Sequence, residues 1–408
     1  MYIIAIRTMK PITTLISFLF MCSMGSQNGV NFVHSFATTS MLESHSYSVL
    51  RKPSGKKSNM IHKNSGSSNN IIRMNSAISS SVDEDNDTAK YENPNNIDDQ
   101  VFSAISGDGG IKVTVATLRN LVNELMIQHN MFATPGDALG RLVTCSILMA
   151  NGMQDEQQLQ ITINADGPLR GAVSVITGGG RFVKGYVGSP QLGNMPLPEA
   201  IGTKGAVQVV KNHPSWPNPY NGITAVEYGD MDRDIGQYLA ESEQKSCALA
   251  AATTFNEILC TSAGGYLVEQ LPGVEDETIA QIEKNLAALV ELNEKDQKEL
   301  QNNNKMPANL LLQGKTPVDI AQIILKDLDM KPLGQLSSPP VLKCQCTNER
   351  LLRALRLLPK EEVDDLLEKE EKIEAQCTFC KKVYRMDADE VREHFADKAG
   401  QDPSIENL

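Results

Sequence analysis

The sequence predicts an α+β protein with three structured parts: an antiparallel-sheet core domain with flanking helices over residues 98–272, a helical linker over 273–337, and a small C-terminal module over 338–395. Three observations support this division. Short runs of alternating polar and apolar residues, separated by turn residues, dominate the first part. An acidic stretch with helical periodicity follows. Four of the eight cysteines lie in the third part, in two closely spaced pairs.

Composition agrees with a folded, globular chain. Of the 408 residues, 41% are hydrophobic and 22% are charged, which is typical of globular domains. The formal net charge of −12 is unevenly placed, because residues 1–82 hold eight basic side chains and one acidic side chain, whereas the remainder holds 30 basic and 49 acidic side chains. A body this acidic repels polyphosphate, so the composition argues against nucleic acid as the main partner.

The first 97 residues are predicted to be a targeting presequence followed by a disordered acidic spacer. Arg7 and Lys10 precede an apolar run over 12–22, which is short for a membrane span and matches the hydrophobic region of a signal peptide. The following stretch, to about Val82, is rich in Ser and Asn and cannot bury enough apolar surface to fold. This arrangement resembles the bipartite presequence of algae with secondary plastids. It predicts delivery to the chloroplast stroma and no membrane attachment of the mature form; a secretory or cytoplasmic location is the alternative.

The core domain is predicted to contain helices with apolar faces and strands separated by turns. Helical spacing of apolar residues and short alternating runs provide the two signals, and clusters of Gly, Asn, Asp and Pro mark the turns. The predicted helices cover 117–128, 138–149 and 232–243, the strands cover 159–163, 172–177, 182–187, 206–210, 224–228, 246–255 and 266–270, and the turns lie at 166–168, 178–180 and 221–222.

No catalytic motif is found in the chain. It has no nucleophile elbow, metalloprotease helix, dinucleotide fingerprint or Walker motif. The glycines at 178–180 lack the Gly-Lys-Ser/Thr ending of a phosphate loop and lie between two strands, so they predict a hairpin turn. Cys145, Cys247 and Cys260 lie in apolar surroundings and are predicted to be buried as small hydrophobic residues. We therefore predict no catalytic residues and no enzymatic activity.

The linker combines strong charge with a narrow apolar stripe. Residues 275–300 hold eight acidic side chains and three lysines. The sequence Thr-Pro-Val-Asp at 316–319 predicts the start of a second helix, with Thr316 as its N-cap. Two interpretations remain open: a pair of helices packed permanently on the core, or a marginally stable segment that docks and detaches. The predicted stripe comprises Ile279, Ile282, Leu286 and Leu289.

The most specific signal is a pair of cysteine clips. Cys344 and Cys346 are separated by one residue, Cys377 and Cys380 by two, and thirty residues lie between the clips. Four soft ligands in two short clips are typical of a structural zinc site, so all four cysteines are predicted to bind Zn²⁺. Zinc ligation is worth about 10–16 kcal/mol in small zinc peptides, and a module of this size with few large apolar residues needs such support. Around the clips, the sequence predicts helices over 349–358 and 362–367, strands over 373–376 and 383–386, and a final helix from 387.

The same cysteines are predicted to be sensitive to oxidation. Zinc-bound sulfur is thiolate, which is the form that oxidants attack, and each clip holds two sulfurs close together. Cys377 and Cys380 alone are also compatible with a thioredoxin-type redox pair. That motif belongs at a strand-to-helix turn, whereas here residues 381–384 have a strand pattern, so zinc ligation is favoured.

These residues resemble the 33-kDa heat-shock-protein family, also called 33 kDa chaperonin. The resemblance rests on residues 342–350, Leu-Lys-Cys-Gln-Cys-Thr-Asn-Glu-Arg, and on the clip at 377–380 followed by Tyr384 and Asp387. It covers about residues 100–395. Two departures are Lys245-Ser246, where a proline often occurs, and Glu370-Glu371-Lys372, which replaces a usual glycine-containing turn. Further motifs similar to the family lie at 166–169, 242–244 and 264–273.

The resemblance implies a redox-regulated, ATP-independent holdase chaperone that acts in protein folding under stress. In this family scheme, the reduced protein holds zinc through Cys344, Cys346, Cys377 and Cys380 and is inactive. Oxidation forms disulfides 344–346 and 377–380, zinc leaves, and the C-terminal module and linker unfold. The exposed apolar surface then binds unfolding client proteins, and the oxidised chain forms a homodimer.

Two other functions remain as alternatives. A zinc-ribbon protein that binds nucleic acid or the transcription machinery would need a basic surface near the clips, but residues 361–374 are mostly acidic. A thiol oxidoreductase would need turnover of one dithiol pair rather than stoichiometric zinc.

Overall fold

The computed structural model describes residues 4–7, 98–334, 338–355, 363–364, 367–368 and 372–396. Most of the predicted presequence lies outside these ranges, as do nearly all of residues 396–408, which the sequence predicts to be a C-terminal tail, so both boundaries stay predictions. The strand β1, Ile4–Arg7, pairs antiparallel with a strand of the C-terminal module. None of the helices that the structure describes is long and apolar enough to cross a bilayer.

Two antiparallel sheets and a central helix form the core, which confirms the predicted α+β class. Helix α2 contacts strands of both sheets, and nearly all of its residues are buried between them. The core elements are β2 (Gln100–Ile105), β3 (Ile111–Thr117), α1 (Arg119–His129), α2 (Ala133–Ala150), β4 (Gln158–Ala165), β5 (Ala172–Thr177), β6 (Phe182–Val187), α3 (Leu197–Ile201), β7 (Gly205–Asn212), β8 (Tyr220–Ala225), α4 (Met231–Glu241), β9 (Cys247–Phe255) and β10 (Cys260–Gln270).

The linker forms three helices on the outer face of the first sheet and a short strand at the edge of that sheet. They are α5 (Asp276–Leu300), α6 (Ala308–Leu312), α7 (Pro317–Ile324) and β11 (Lys331–Pro332). Thr316 caps α7 as predicted, in a box where Thr316 and Asp319 exchange hydrogen bonds. The first sheet has the order β11-β2-β3-β10-β9. Because α2 covers one face and the linker covers the other, β10 is buried along nearly its whole length rather than alternately.

The C-terminal module extends from the edge of the second sheet. Its described elements are β12 (Val341–Leu342), α8 (Asn348–Leu355), β13 (Lys372–Cys377), β14 (Val383–Asp387) and α9 (Ala388–Ala396). Strand β12 pairs parallel with β6, which gives the second sheet the order β12-β6-β5-β4-β7-β8. Strands β13 and β14 confirm the two predicted around the second clip, whereas parts of the predicted helices 349–358 and 362–367 lie outside the described residues.

One turn and one strand were predicted wrongly. The pair Asn221-Gly222 lies within β8, opposite Val210 and Val209 of β7, rather than in a turn. The strand ends at Ala225, so the predicted strand 224–228 is wrong beyond that residue. A Cβ atom on Gly222 would lie 2.7 Å from the Tyr238 ring. Glycine is therefore required at this position for close packing of α4 rather than for a turn.

Several described elements were missed, and two helix or strand starts were placed too late. The elements not predicted are strands β1, β2, β3, β11 and β12 and helices α3 and α6. In β3, Ile111, Val113 and Val115 nevertheless alternate with polar or small residues in a typical strand pattern. Helix α2 begins at Ala133 rather than 138, because Pro135 fits the first turn of a helix. Strand β10 begins at Cys260 rather than 266.

Candidate metal centre

The two cysteine clips meet between β12 and the β13–β14 turn. Cys344 and Cys346 follow β12 directly, while Cys377 ends β13 and Cys380 lies in the turn. The turn is closed by a hydrogen bond of 2.8 Å from the Lys381 amide to the Cys377 carbonyl, and Lys381 adopts a left-handed φ of 59°. This local geometry directs both sulfurs of the second clip to the same side.

The four sulfur atoms form one compact cluster. All four Sγ atoms lie within 4.8 Å of one another. The Cys344 and Cys377 sulfurs are 3.7 Å apart, and the Cys346 and Cys380 sulfurs are 3.2 Å apart. A tetrahedral zinc ion with Zn–S bonds of about 2.3 Å places its sulfurs roughly 3.8 Å apart. The all-sulfur donor set and its spacing therefore fit a tetrahedral soft-metal site.

Hydrogen bonding and burial shift the pKa values of three of these thiols, those of Cys344, Cys377 and Cys380. The Cys344 and Cys377 sulfurs share a hydrogen bond, which lowers the pKa of Cys377 to about 5 and raises the pKa of Cys344. Burial raises the pKa of Cys380 to about 11. Burial also lowers the pKa of the nearby Lys381 ammonium group. The cluster thus favours a thiolate first at Cys377, and a metal ion displaces the remaining protons when it binds.

A tyrosine outside the clips supports the first clip. The Tyr384 hydroxyl lies 2.9 Å from the Cys346 carbonyl oxygen and 3.1 Å from its sulfur, and it donates to this pair. Tyr384 extends from β14 and is buried. It links the second strand of the module to Cys346 of the first clip.

The module is attached to the core through β6 and α1. The backbone amide of Lys343 donates to the Val183 carbonyl over 2.9 Å, which continues the β12–β6 pairing up to Cys344. On α1, the Gln128 side chain donates to the Phe379 carbonyl over 2.5 Å. The Phe379 ring packs edge-on against Tyr186, with ring centres 5.1 Å apart. Both clips are therefore held against the core domain by direct contacts.

Sequence reasoning located the four cysteines but missed this support. It quoted Tyr384 and Phe379 only as part of the family motif, and Gln128 only as the end of a predicted helix. Gln128 and Phe379 are 251 positions apart, and no local pattern links them. The hydroxyl-to-sulfur contact of Tyr384 likewise depends on the pairing of β13 with β14.

The other described cysteines lie away from the cluster. Cys145 and Cys260 are buried as predicted, and Cys247 is half-buried. Burial raises the pKa of Cys145 and of Cys260 to about 12, and that of Cys247 to about 11. Cys22 lies outside the described residues. The triple glycine at 178–180 forms the predicted turn between β5 and β6.

Comparison with known proteins identifies the family. A sequence model described as "Hsp33 protein" matches residues 99–387. The chain is 33% identical over 303 residues to the 33 kDa chaperonin of Clostridioides difficile, covering 72% of this chain and 98% of that protein. It is 31% identical over 299 residues to the 33 kDa chaperonin of Desulforamulus reducens, covering 71% and 94%.

A solved structure has the same fold. The crystal structure of the 33 kDa chaperonin (Heat shock protein 33 homolog) from Thermotoga maritima superimposes with a TM-score of 0.62 at 22% identity, covering 74% of this chain and 99% of that chain. The family model and the curated relatives describe a chaperone rather than an enzyme. Together with the four-cysteine cluster, they confirm the resemblance found in the sequence: the chain belongs to the Hsp33 family.

Proposed function

We propose that this chain is a redox-regulated, ATP-independent holdase chaperone whose switch is the four-cysteine cluster. The observation that carries the proposal is the gathering of Cys344, Cys346, Cys377 and Cys380 within 4.8 Å in a chain of a chaperone family. In the reduced state these four thiolates hold Zn²⁺, which supplies a fixed tetrahedral link between the two clips.

Oxidation removes the ligands. The two thiolates of each pair, 344–346 and 377–380, lose two electrons to one molecule of hydrogen peroxide. One S–S bond forms, the O–O bond breaks, and two protons taken up from the solvent give two molecules of water. Disulfide sulfur is a poor ligand, so the cross-link between the clips is lost. The observed spacing does not select this pairing, because the shortest sulfur distances join 344 to 377 and 346 to 380. Peptide mapping of the disulfides therefore tests this part of the proposal, namely that each disulfide forms within one clip.

The surface that captures clients is proposed to lie beneath the linker. The outer face of β2, β3 and β10 presents Phe102, Val113, Val115, Tyr266 and Val268, all buried under the linker helices. Undocking of these helices would expose a continuous apolar face, which is a typical protein-binding surface. No nucleotide is needed for such capture, in keeping with the lack of a Walker motif.

The linker is suited to undocking because part of its packing is polar. Asn309 on α6 is only 1% exposed, and its side-chain oxygen accepts hydrogen bonds from Asn302 and Asn304 at 3.1 and 3.0 Å. Its amide lies 3.4 Å from the side-chain oxygen of Asn293 on α5. Hydrogen bonds contribute only about 1 kcal/mol each, since water replaces them on undocking. This favours the second interpretation of the linker, a segment that docks and detaches.

Zinc release is proposed to reach the linker through the connecting strands. Strand β11 pairs with β2, and β12 pairs with β6. The linker cluster and the C-terminal cluster share no residue among the described positions. Loss of order in the C-terminal module would therefore free the chain after β11 and weaken the linker indirectly.

The cellular setting is part of the same proposal. We propose that the first 97 residues deliver the chain to the chloroplast stroma. The stroma is a reducing compartment, in which the four thiols of the cluster persist. We also propose unfolding proteins as clients, a homodimer of the oxidised chain, and no nucleic-acid partner. The location of a fluorescent fusion that carries residues 1–97 tests the proposed delivery to the stroma. Sedimentation of the reduced and oxidised protein tests whether oxidation produces a homodimer.

One experiment tests the switch directly. The reduced chain is analysed for stoichiometric zinc and then treated with peroxide under mild heat, while zinc release is followed with a chromophoric chelator. Light scattering from a thermally aggregating client, without ATP, is followed in parallel. Zinc release and suppression of aggregation are expected to rise together. Equal suppression by the reduced, zinc-loaded protein would overturn the proposal.

Two variants sharpen this experiment. A Cys377→Ser, Cys380→Ser chain cannot assemble four sulfur ligands, so it is expected to lack tightly bound zinc and to lose the dependence on peroxide. Cys247→Ser removes a thiol outside the cluster and is the matched control, which should retain zinc and switch like the unaltered chain. Loss of switching in the control would show that the four clustered cysteines are not sufficient.

A further inference from the structure

A groove runs beside the cysteine cluster where the C-terminal module meets β6. Its volume is about 240 Å³. Among the residues that the structure describes, no carboxylate lines it, although the chain carries a net charge of −12. Its charged and sulfur-bearing lining residues are Lys184, Lys343, Lys382, Cys344, Cys346 and Cys380.

Aromatic rings hold the three lysines at the groove. Such a contact positions an ammonium group without neutralising its charge, so Lys343 and Lys382 give the groove a positive potential. Lys343 and Lys382 are exposed and Lys184 is half-buried. The lysine Nζ atom lies 4.8 Å from the Phe379 ring centre for Lys184, 3.9 Å from that of Phe182 for Lys343, and 5.1 Å from that of Tyr384 for Lys382.

We propose that this lysine groove is an anion-binding site that brings anionic peroxides, oxyacid peroxides with one negative charge, to the cysteine sulfurs. This inference rests on the proposed redox function and names the class of oxidant that the switch prefers. A concave surface of one charge sign raises the local concentration of oppositely charged small molecules and their association rate by about 10-fold or more. Hydrogen peroxide is neutral and gains no such advantage.

The chemistry at the groove is a two-electron oxidation of sulfur. A cysteine thiolate attacks the terminal peroxide oxygen; an S–O bond forms as the O–O bond breaks, and the oxyanion fragment leaves with the electron pair. The resulting sulfenic acid is attacked by a second cysteine thiolate, which forms the S–S bond and releases hydroxide. The two sulfurs lose two electrons in total, and the peroxide gains two.

A simpler role for the lysines is to offset the negative charge of four thiolates. That role would change the reactivity of the sulfurs toward every oxidant alike. Selective recruitment changes the reaction with an anionic peroxide and leaves the reaction with a neutral peroxide nearly unaltered. A comparison of two peroxides of different charge therefore separates the two roles.

The test uses the reduced, zinc-loaded full chain and two probes, peroxymonosulfate as the anionic peroxide and hydrogen peroxide as the neutral one. Zinc release rates are measured at low ionic strength for the unaltered chain and for the variant Lys184→Gln, Lys343→Gln, Lys382→Gln. The control variant Lys204→Gln, Lys284→Gln, Lys298→Gln removes the same net charge from exposed positions away from the groove. Zinc content and circular dichroism verify that each variant is folded and loaded.

We expect the groove variant to react with peroxymonosulfate about tenfold more slowly and with hydrogen peroxide within about twofold of the unaltered chain. The control variant should keep both rates. Raising the ionic strength to 0.5 M should remove most of the advantage of the unaltered chain, because salt screens exposed charges. Equal slowing toward both peroxides, or no slowing toward either, overturns the proposal.

A bicarbonate arm distinguishes the source of the anion. Bicarbonate converts part of the hydrogen peroxide into the peroxymonocarbonate anion, so it should accelerate zinc release from the unaltered chain more than from the groove variant, with chloride at equal ionic strength as the reference. Equal acceleration of zinc release from the unaltered chain and from the groove variant would exclude peroxymonocarbonate as the recruited anion. The peroxymonosulfate comparison would then decide whether the groove binds anionic peroxides. Failure of the proposed chaperone function would be recognised separately, as zinc release without suppression of client aggregation.

Discussion

The Tyr384 hydroxyl on β14 donates hydrogen bonds to the carbonyl oxygen and the sulfur of Cys346 in the first clip. A donor on a thiolate withdraws electron density from sulfur, so its loss should make Cys346 more nucleophilic. We expect Tyr384→Phe to speed peroxide-driven zinc release about fivefold, which corresponds to about 1 kcal/mol for one hydrogen bond. The measurement is the rate of zinc transfer to a chelator. Tyr186→Phe, which deletes a hydroxyl at the same junction, is the matched control, and an unchanged rate in Tyr384→Phe would contradict the assigned role.

Cys145 and Cys260 provide a prediction about pH. Burial raises the pKa of both thiols to about 12, and only the thiolate reacts with alkylating reagents. At pH 8 both should therefore stay unlabelled in the folded chain, and labelling should increase only as the pH approaches 12 or the chain unfolds. Mass spectrometry of peptides after iodoacetamide treatment measures this. Rapid labelling of Cys260 at pH 8 in the native protein would show that β10 opens locally.

At the scale of elements, the linker depends on a few apolar side chains of α7. Ile320 is fully buried against the first sheet, and replacing a buried Ile by Ala costs about 2–5 kcal/mol. We expect Ile320→Ala to loosen the linker and to give the reduced, zinc-loaded chain holdase activity without peroxide. Light scattering measures the activity, and hydrogen exchange over 273–334 measures the loosening.

Val290→Ala is the matched control for that change. Val290 lies on the outer side of α5 and is 53% exposed, so its truncation should leave both readouts unchanged. A linker that exchanges faster in Ile320→Ala without any gain in holdase activity would show that clients bind elsewhere than on the covered sheet face.

At the scale of the whole molecule, the separation of two apolar clusters predicts opening in two stages. The C-terminal cluster and the linker cluster share no described residue, so zinc removal should affect them unequally. We expect a chelator to increase hydrogen exchange over the described parts of 338–396 at once, and exchange over 273–334 only on warming. Simultaneous loss of protection in both regions at low temperature would contradict opening in two stages.

Much of this architecture could be predicted because its signals are local. Thr316, Pro317 and Asp319 fix the start of α7 through backbone capping, which depends on neighbours in sequence. The spacing of the cysteine clips alone similarly indicates a soft-metal site. The Asn221-Gly222 pair was misjudged because its usual turn preference is overridden by pairing with β7 and by the approach of Tyr238. Such overriding depends on residues that are distant in the chain.

The amino-acid sequence by itself determined the α+β class, the acidic linker helix, the four clustered thiols and the family, since propensity, periodicity and ligand spacing act over a few residues. Only the tertiary structure decided that the linker covers an apolar sheet face, that Tyr384 and Gln128 support the clips, and that three lysines surround a groove at the sulfurs. These features arise where segments far apart in the chain come together. Burial and electrostatic effects between such segments depend on distances in space, which the order of residues does not specify.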